Sequence, residues 1–120
     1  VRKELQSPEE FGEAVREEIR ISSDMELPLH ALSVLLPDPL YGPDADPDRL
    51  LDEIRLADLV TAVSPEEIAL VLPNTSPDNA RLVAGRLLAA VPGAEIGAAP
   101  HSPGDTPESF IGRARENRNP

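Results

Sequence analysis

Cysteine is absent from this chain, which removes disulfide frameworks and thiolate metal sites from consideration. Aromatic side chains are almost absent as well: Phe11, Tyr41 and Phe110 are the whole set, so the core must be built from Leu, Val, Ile and Ala. Lysine occurs once, at Lys3, and the formal net charge is −11. DNA, RNA and acidic lipid need clustered cations, so neither nucleic-acid binding nor direct membrane contact is expected. The same charge opposes a nucleoside triphosphate unless a local arginine cluster or Mg²⁺ offsets it. No long apolar run exists either. Ala31 to Leu36, interrupted by Ser33, is the longest, far short of the ~20 residues that span a bilayer. No secretory signal is read at the start. The expected compartment is the cytoplasm, with the chain free there or forming the cytoplasmic part of a membrane-anchored protein. Opening on Val1 rather than Met is expected of a domain excised from something longer.

What is present is a repeated helix-start grammar. Ser7-Pro8-Glu9-Glu10, Asp46-Pro47-Asp48, Ser76-Pro77-Asp78 and Thr106-Pro107-Glu108 each join a capping oxygen to Pro at the first helical position and an acid in the first turn. Ser7 with Glu10 also fits a capping box. These starts predict helices over Pro8–Ser22 (apolar stripe Phe11, Ala14, Val15, Ile19), Pro47–Ala57 (burying Leu50, Leu51 and Ile54) and from Ser76 to about Val91. The third has Ala80, Val83, Ala84, Leu87 and Leu88 inward, and the last runs from Thr106 through Phe110, Ile111 and Ala114. Strands are expected at Leu29–Leu36, Leu59–Val63, Ile68–Leu72 and Ala94–Ala99. Residues 37–47, rich in Pro and Asp, are expected to be loop.

After the first helix the order is strand, helix, strand, strand, helix, strand. That is the split βαβ, ferredoxin-like plan, within one domain spanning residues 1–120 with a frayed polar tail over 116–120. The plan pairs the first and third strands antiparallel, which brings Asp38 close to Glu66 and Glu67.

Three segments carry a resemblance. Arg55-Leu56-Ala57-Asp58 stands five residues before the turn Ser64-Pro65-Glu66-Glu67-Ile68. The stretch from Ile68 to Thr75 leads into Asn79-Ala80 and a Leu/Ala helix, and Ala94 to Ala99 carries an Ile-Gly-small pattern. In this order and spacing they resemble the GGDEF family, the bacterial diguanylate cyclases, from about Ser7 to Ala114. The resemblance implies an α/β (α+β), nucleotide-cyclase-like fold: a βαββαβ core with a mixed, largely antiparallel sheet and flanking helices. It aligns the turn with the family's Gly-Gly-Asp/Glu-Glu-Phe signature and Arg55/Asp58 with its Arg-x-x-Asp inhibitory site for cyclic di-GMP. Asp38 aligns with a metal-binding acid.

The departures bear on activity. The family's glycines let the backbone approach GTP phosphates, because glycine lacks Cβ and tolerates positive φ. Ser64 adds a side chain, and Pro65 fixes φ and removes an N–H. Cyclase activity is therefore not expected, and no cofactor is. A regulatory role in bacterial signalling is expected instead. Arg55 and Asp58 would serve it as a cyclic di-GMP receptor site; the alternative is a protein-interaction or dimerisation scaffold without nucleotide. The expected partners are cyclic di-GMP, other domains of the same polypeptide, a separate protein or a second copy.

Each candidate also has a plainer reading. Arg55 and Asp58 fit a helix-end ion pair. Asp38, Glu66 and Glu67, weak metal candidates, fit solvated turn residues. His30 and His101 fit packing or surface positions, Ser64 and Ser102 have no His/Asp arrangement for nucleophilic catalysis, and Arg113, Arg115 and Arg118 fit solvated charge, with a salt-bridge or partner-docking role as the alternative.

Overall fold

Eight elements follow the expected order. The computed structural model describes residues 3–40, 42 and 47–118. They form α1 (Pro8–Met25), β1 (Leu29–Leu35), α2 (Pro47–Leu51), β2 (Leu59–Ser64), β3 (Glu67–Pro73), α3 (Pro77–Ala90), β4 (Glu95–Pro100) and α4 (Pro107–Glu116). The four strands make one sheet in the order β2-β3-β1-β4, and every named pair is antiparallel. A single parallel bridge, Gln6 to Thr61, adds the chain entry to the β2 edge. The ferredoxin-like α+β plan is thus present.

Period-two alternation sorts the sheet into two cores. Leu32, Val34, Ile68, Leu70 and Leu72 face α2 and α3, where they meet Leu50, Leu51, Ile54, Val83 and Leu87. Ala31, Ala69, Val71 and Ala99 face α1 and α4, where they meet Phe11, Val15, Phe110, Ile111 and Ala114. Small residues dominate this second face, so its helices sit close to the strands.

The caps work as their sequences suggest. Ser7, Ser76 and Thr106 each accept the backbone N–H three residues on, at 3.2, 3.3 and 3.2 Å. The reciprocal capping box forms at α4, where Ser109 Oγ accepts the Thr106 N–H at 3.0 Å; at α1 only the Ser7 half is present. The expected Asp46 cap lies outside the described residues.

Beyond one-residue shifts at strand ends, four features depart from expectation. α1 runs one turn further, to Met25, and stops where Glu26 takes a left-handed conformation at φ 54°. α2 ends at Leu51 instead of Ala57, although Leu50, Leu51 and Ile54 are buried as expected. The Asp58 carboxylate accepts the Arg55 N–H at 3.0 Å, and such a local side-chain bond replaces the helical one. Leu88 points outward, because the buried line of α3 is Ala80, Val83 and Leu87. Residues 116–118 are held down where a frayed tail was expected. Glu116 ends α4, Asn117 Nδ2 donates to Ala98 O at 2.8 Å, and Arg118 lies beside Glu67.

The β4–α4 loop is fixed by Asp105. Its carboxylate accepts Arg113 Nη1 and Nη2 at 2.5 and 2.8 Å, the Ser102 N–H at 2.8 Å and Ser109 Oγ at 2.9 Å. The Arg113 bonds hold its pKa down at about 2, against an ordinary value of 3.8, and the bonds from Ser102 and Ser109 add to this against the opposing cost of burial. A depressed carboxyl stabilises the fold above its unfolded value and stops doing so as pH falls through its folded one. Asp105→Asn should therefore lower stability by up to about 2 kcal/mol at neutral pH, and the difference should vanish near pH 2. Urea midpoints measured across pH check this; a difference that persists undiminished at pH 2 contradicts it.

Candidate functional site

The β2–β3 hairpin tip stands at one end of the sheet, where β1 also finishes. Its register shifts between Ala62 and Ser64, so Ser64 pairs with Glu67, and Pro65 and Glu66 form the turn. Ser64 Oγ accepts the Glu66 N–H at 3.2 Å. Two backbone bonds tie the segment after β1 to this turn: Leu36 N–H to Glu66 O at 2.7 Å and Leu40 N–H to Pro65 O at 2.6 Å. Asp38 lies between these tethers, so the expected closeness of Asp38 to the turn holds at the level of the backbone.

The three acids do not converge. Asp38 and Glu66 are exposed. Glu67 shares its sheet face with Ala69 and Val71, which directs it toward α4. There it accepts Arg115 Nε at 2.8 Å and pairs with Arg118 Nη1 at 3.8 Å, and its side chain is 13 % exposed. Among the described residues no group of three or more His, Asp or Glu side chains is placed to hold a metal ion. A divalent cation here would have to displace two arginines from Glu67, so the acids present do not fit one. Ile68, the last residue of the turn motif, is buried in the α2/α3 core.

Beside the tip, among the described residues, Asp38 is the only charged one lining a cavity of about 70 Å³ whose walls include Leu5, Leu36, Leu40, Leu50 and Ile68. Small-molecule sites are ordinarily ~300–1,000 Å³ with several convergent polar groups. This one is small and nearly all apolar.

Arg55 and Asp58 meet at the other end of β2. The Arg55 guanidinium spans Asp58, with Nη2 to Oδ1 at 2.8 Å and Nε to Oδ1 at 3.2 Å. Nη2 also donates to Thr75 Oγ1 at 2.8 Å and to Pro73 O at 3.2 Å. Asp58 is 1 % exposed and Arg55 51 % exposed. The guanidinium therefore faces water on one side, while the carboxylate is enclosed and fully occupied. His30 joins the same region, with Nδ1–H donating to Thr75 O at 2.8 Å. It is buried, whereas His101 is half-buried, packs edge-to-face with Phe110 and encloses an Nε2 that has no hydrogen-bond partner among the described residues.

Sequence reasoning singled out Arg115 and Arg118 but not the acid they meet. Their i, i+3 spacing places both on one face of the α4 end. The acid they meet is Glu67, 48 residues from Arg115, and no local pattern announces that pairing. Of the two readings of Arg113, Arg115 and Arg118, solvated charge is corrected in favour of salt bridges: Arg113 holds Asp105, and the other two pair with Glu67. Among the described residues no helix is long and apolar enough to cross a membrane.

No family model matches the sequence, and a search of curated proteins returns no match. Solved structures do match. The diguanylate cyclase SiaD of Pseudomonas aeruginosa, solved with its activator SiaC, is 23% identical, with a TM-score of 0.77 over 94% of this chain and 53% of SiaD. This chain thus spans about half the length of SiaD. The GGDEF domain of DgcB from Caulobacter crescentus, solved with cyclic di-GMP, is 12% identical, with a TM-score of 0.76 over 97% of this chain and 89% of that one. The GGDEF domain of YfiN (TpbB) from Pseudomonas aeruginosa is 17% identical, with a TM-score of 0.75 over 95% and 92%. At such identities the likeness speaks to architecture, and on that ground this chain is GGDEF-like in fold.

Proposed function

We propose that this domain keeps the architecture of a diguanylate cyclase without its reaction, and works as a regulatory protein-interaction module in bacterial signalling. The observation that carries the reading is the hairpin tip. Phosphoryl transfer from GTP depends on positioning and on charge stabilisation by backbone donors, cations and metal. Pro65 offers no N–H at the turn, and its carbonyl is already taken by Leu40. Glu67 is clasped by Arg115 and Arg118, so this acid is already engaged where a metal ion would need it. The adjoining cavity has neither the volume nor the polar groups that a guanine nucleotide requires.

A receptor reading has one observation in its favour, the half-exposed guanidinium of Arg55. Against it, Asp58 is enclosed and already accepts three N–H groups from Arg55, so its carboxylate has no open edge for guanine donors. Among proteins of this fold SiaD was solved with a protein activator and DgcB with cyclic di-GMP, so either partner class has a precedent. The geometry favours the protein.

Incubating the folded domain with GTP and Mg²⁺ or Mn²⁺, and resolving products by chromatography, tests the reading. No cyclic di-GMP above the protein-free control is expected. Sustained product formation overturns the proposal.

A further inference from the structure

The outward leucines of α3 belong to neither core cluster. Leu82 is 63% exposed and Leu88 44% exposed, two of the few large apolar side chains the domain leaves in water. Between them is Gly85, where an added Cβ would meet nothing within 4 Å. Glycine in a helix interior costs ~1 kcal/mol relative to alanine, and no contact inside this domain uses the missing side chain. Gly12 and Gly112 also face open space, but neither stands between exposed leucines. The arrangement is a shallow notch with an apolar knob on each side.

We propose that this face binds a second copy of the chain, with α3 against α3 across a two-fold axis at Gly85. This deepens the interaction-module reading and rests on it for its biological purpose only. Leu82 and Leu88 lie three residues on either side of Gly85. An antiparallel helix pair pivoting there sets each Leu82 against the partner's Leu88, so the patch is complementary to itself, as an isologous contact requires. The absent Cβ at the pivot lets the helix axes approach closely. Charge points the same way. Two copies at −11 each repel one another, so a face for self-docking must be free of acid surplus. α3 carries Asp78 against Arg81 and Arg86; Arg81 is paired with Asp78, and Arg86 lies 3.7 Å from Glu53. A helix of 14 residues is only ~21 Å long and presents much less than the ~1,200 Å² of a standard interface, so the dimer is weak.

Sedimentation equilibrium on the intact domain, from about 10 µM to about 1 mM, reads the mass directly. The wild type is expected to climb toward twice the monomer mass, with a midpoint on the order of 0.1–1 mM. Raising NaCl from about 50 to about 500 mM should tighten the dimer, since screening reduces the repulsion between acidic copies. The Leu82→Glu/Leu88→Glu variant should stay monomeric throughout, with an unchanged helical spectrum because both side chains are exposed. Gly85→Gln, a better helix former, should raise thermal stability while weakening association. A wild type that stays monomeric at both salt concentrations overturns the proposal, as does a double variant that dimerises like the wild type. Neither result touches the turnover assay, so a failed dimer and a failed non-catalytic reading remain distinguishable.

Discussion

Gly97→Ala is expected to destabilise the domain by more than about 3 kcal/mol, the upper end of ordinary overpacking. Gly97 sits in β4 with the last turn of α4 directly above it. A Cβ there would lie 2.0 Å from Ala114 O, 2.5 Å from Arg118 N and 2.8 Å from Asn117 C. All three are backbone atoms, so no side-chain rotation relieves the clash and the helix end must lift away. Lifting would break the Asn117 bond to Ala98 and separate Arg115 and Arg118 from Glu67. Its neighbours in register are small as well: Ser33 on β1 is opposite Gly97, and Ala69 on β3 is opposite Ser33. With total stabilities of ~5–15 kcal/mol, such a loss leaves a marginal domain. Urea unfolding of the variant measures it, and a cost below about 1 kcal/mol would show that α4 does not rest on the strand as described.

The second large effect is Arg55→Ala. Removing the guanidinium leaves Asp58 enclosed with no counter-charge and only the residue-55 backbone N–H as a partner, and breaking one side of a buried pair costs ~3–5 kcal/mol. Arg55 is half in water, which lets solvent reach the vacated site, so about 3 kcal/mol is the expected loss. Near the melting point that corresponds to a fall on the order of 10 °C for a domain of this size. A receptor site makes the opposite forecast, with binding lost and melting temperature nearly unchanged. Calorimetry with cyclic di-GMP beside thermal melts of both proteins separates the two. Strong heat in the wild type, abolished in an equally stable Arg55→Ala, would install the receptor reading in place of the structural one.

Much of the fold was legible because its signals are local. A capping oxygen, a first-turn proline and an acid mark helix entries at Ser7, Ser76 and Thr106, and each cap forms. Element order alone gives the antiparallel β1–β3 pairing, and with it the approach of residues 36–40 to the turn. The Ile-Gly-small pattern near residue 96 was readable as a motif but not as a cause. Its cause is the clearance that α4 needs above Gly97, a contact across the sheet face.

The site was legible only in part. That the turn holds Ser64 and Pro65 and no glycine is visible in the sequence, and so is the missing N–H at Pro65. The fate of Glu67 is not visible, because its arginines lie on a distant helix. The end of α2 was misplaced for a related reason. Helix propensity over residues 52–57 is adequate, yet the ladder tightens to i→i−3 bonds at Glu53 and Ile54, and the Asp58 side chain then takes the Arg55 N–H. That same bond encloses the carboxylate on which a nucleotide-receptor reading depends.

The central claim is that the hairpin tip cannot grip a nucleoside triphosphate. Backbone amide shifts of the isotope-labelled domain, followed by nuclear magnetic resonance during titration with GTP and Mg²⁺, test it most directly. The account predicts no saturable change at Ser64, Glu66, Glu67 and Ile68 up to millimolar nucleotide. Saturable shifts at those amides, together with shifts at Leu36 and Leu40 across the tethers, would contradict it.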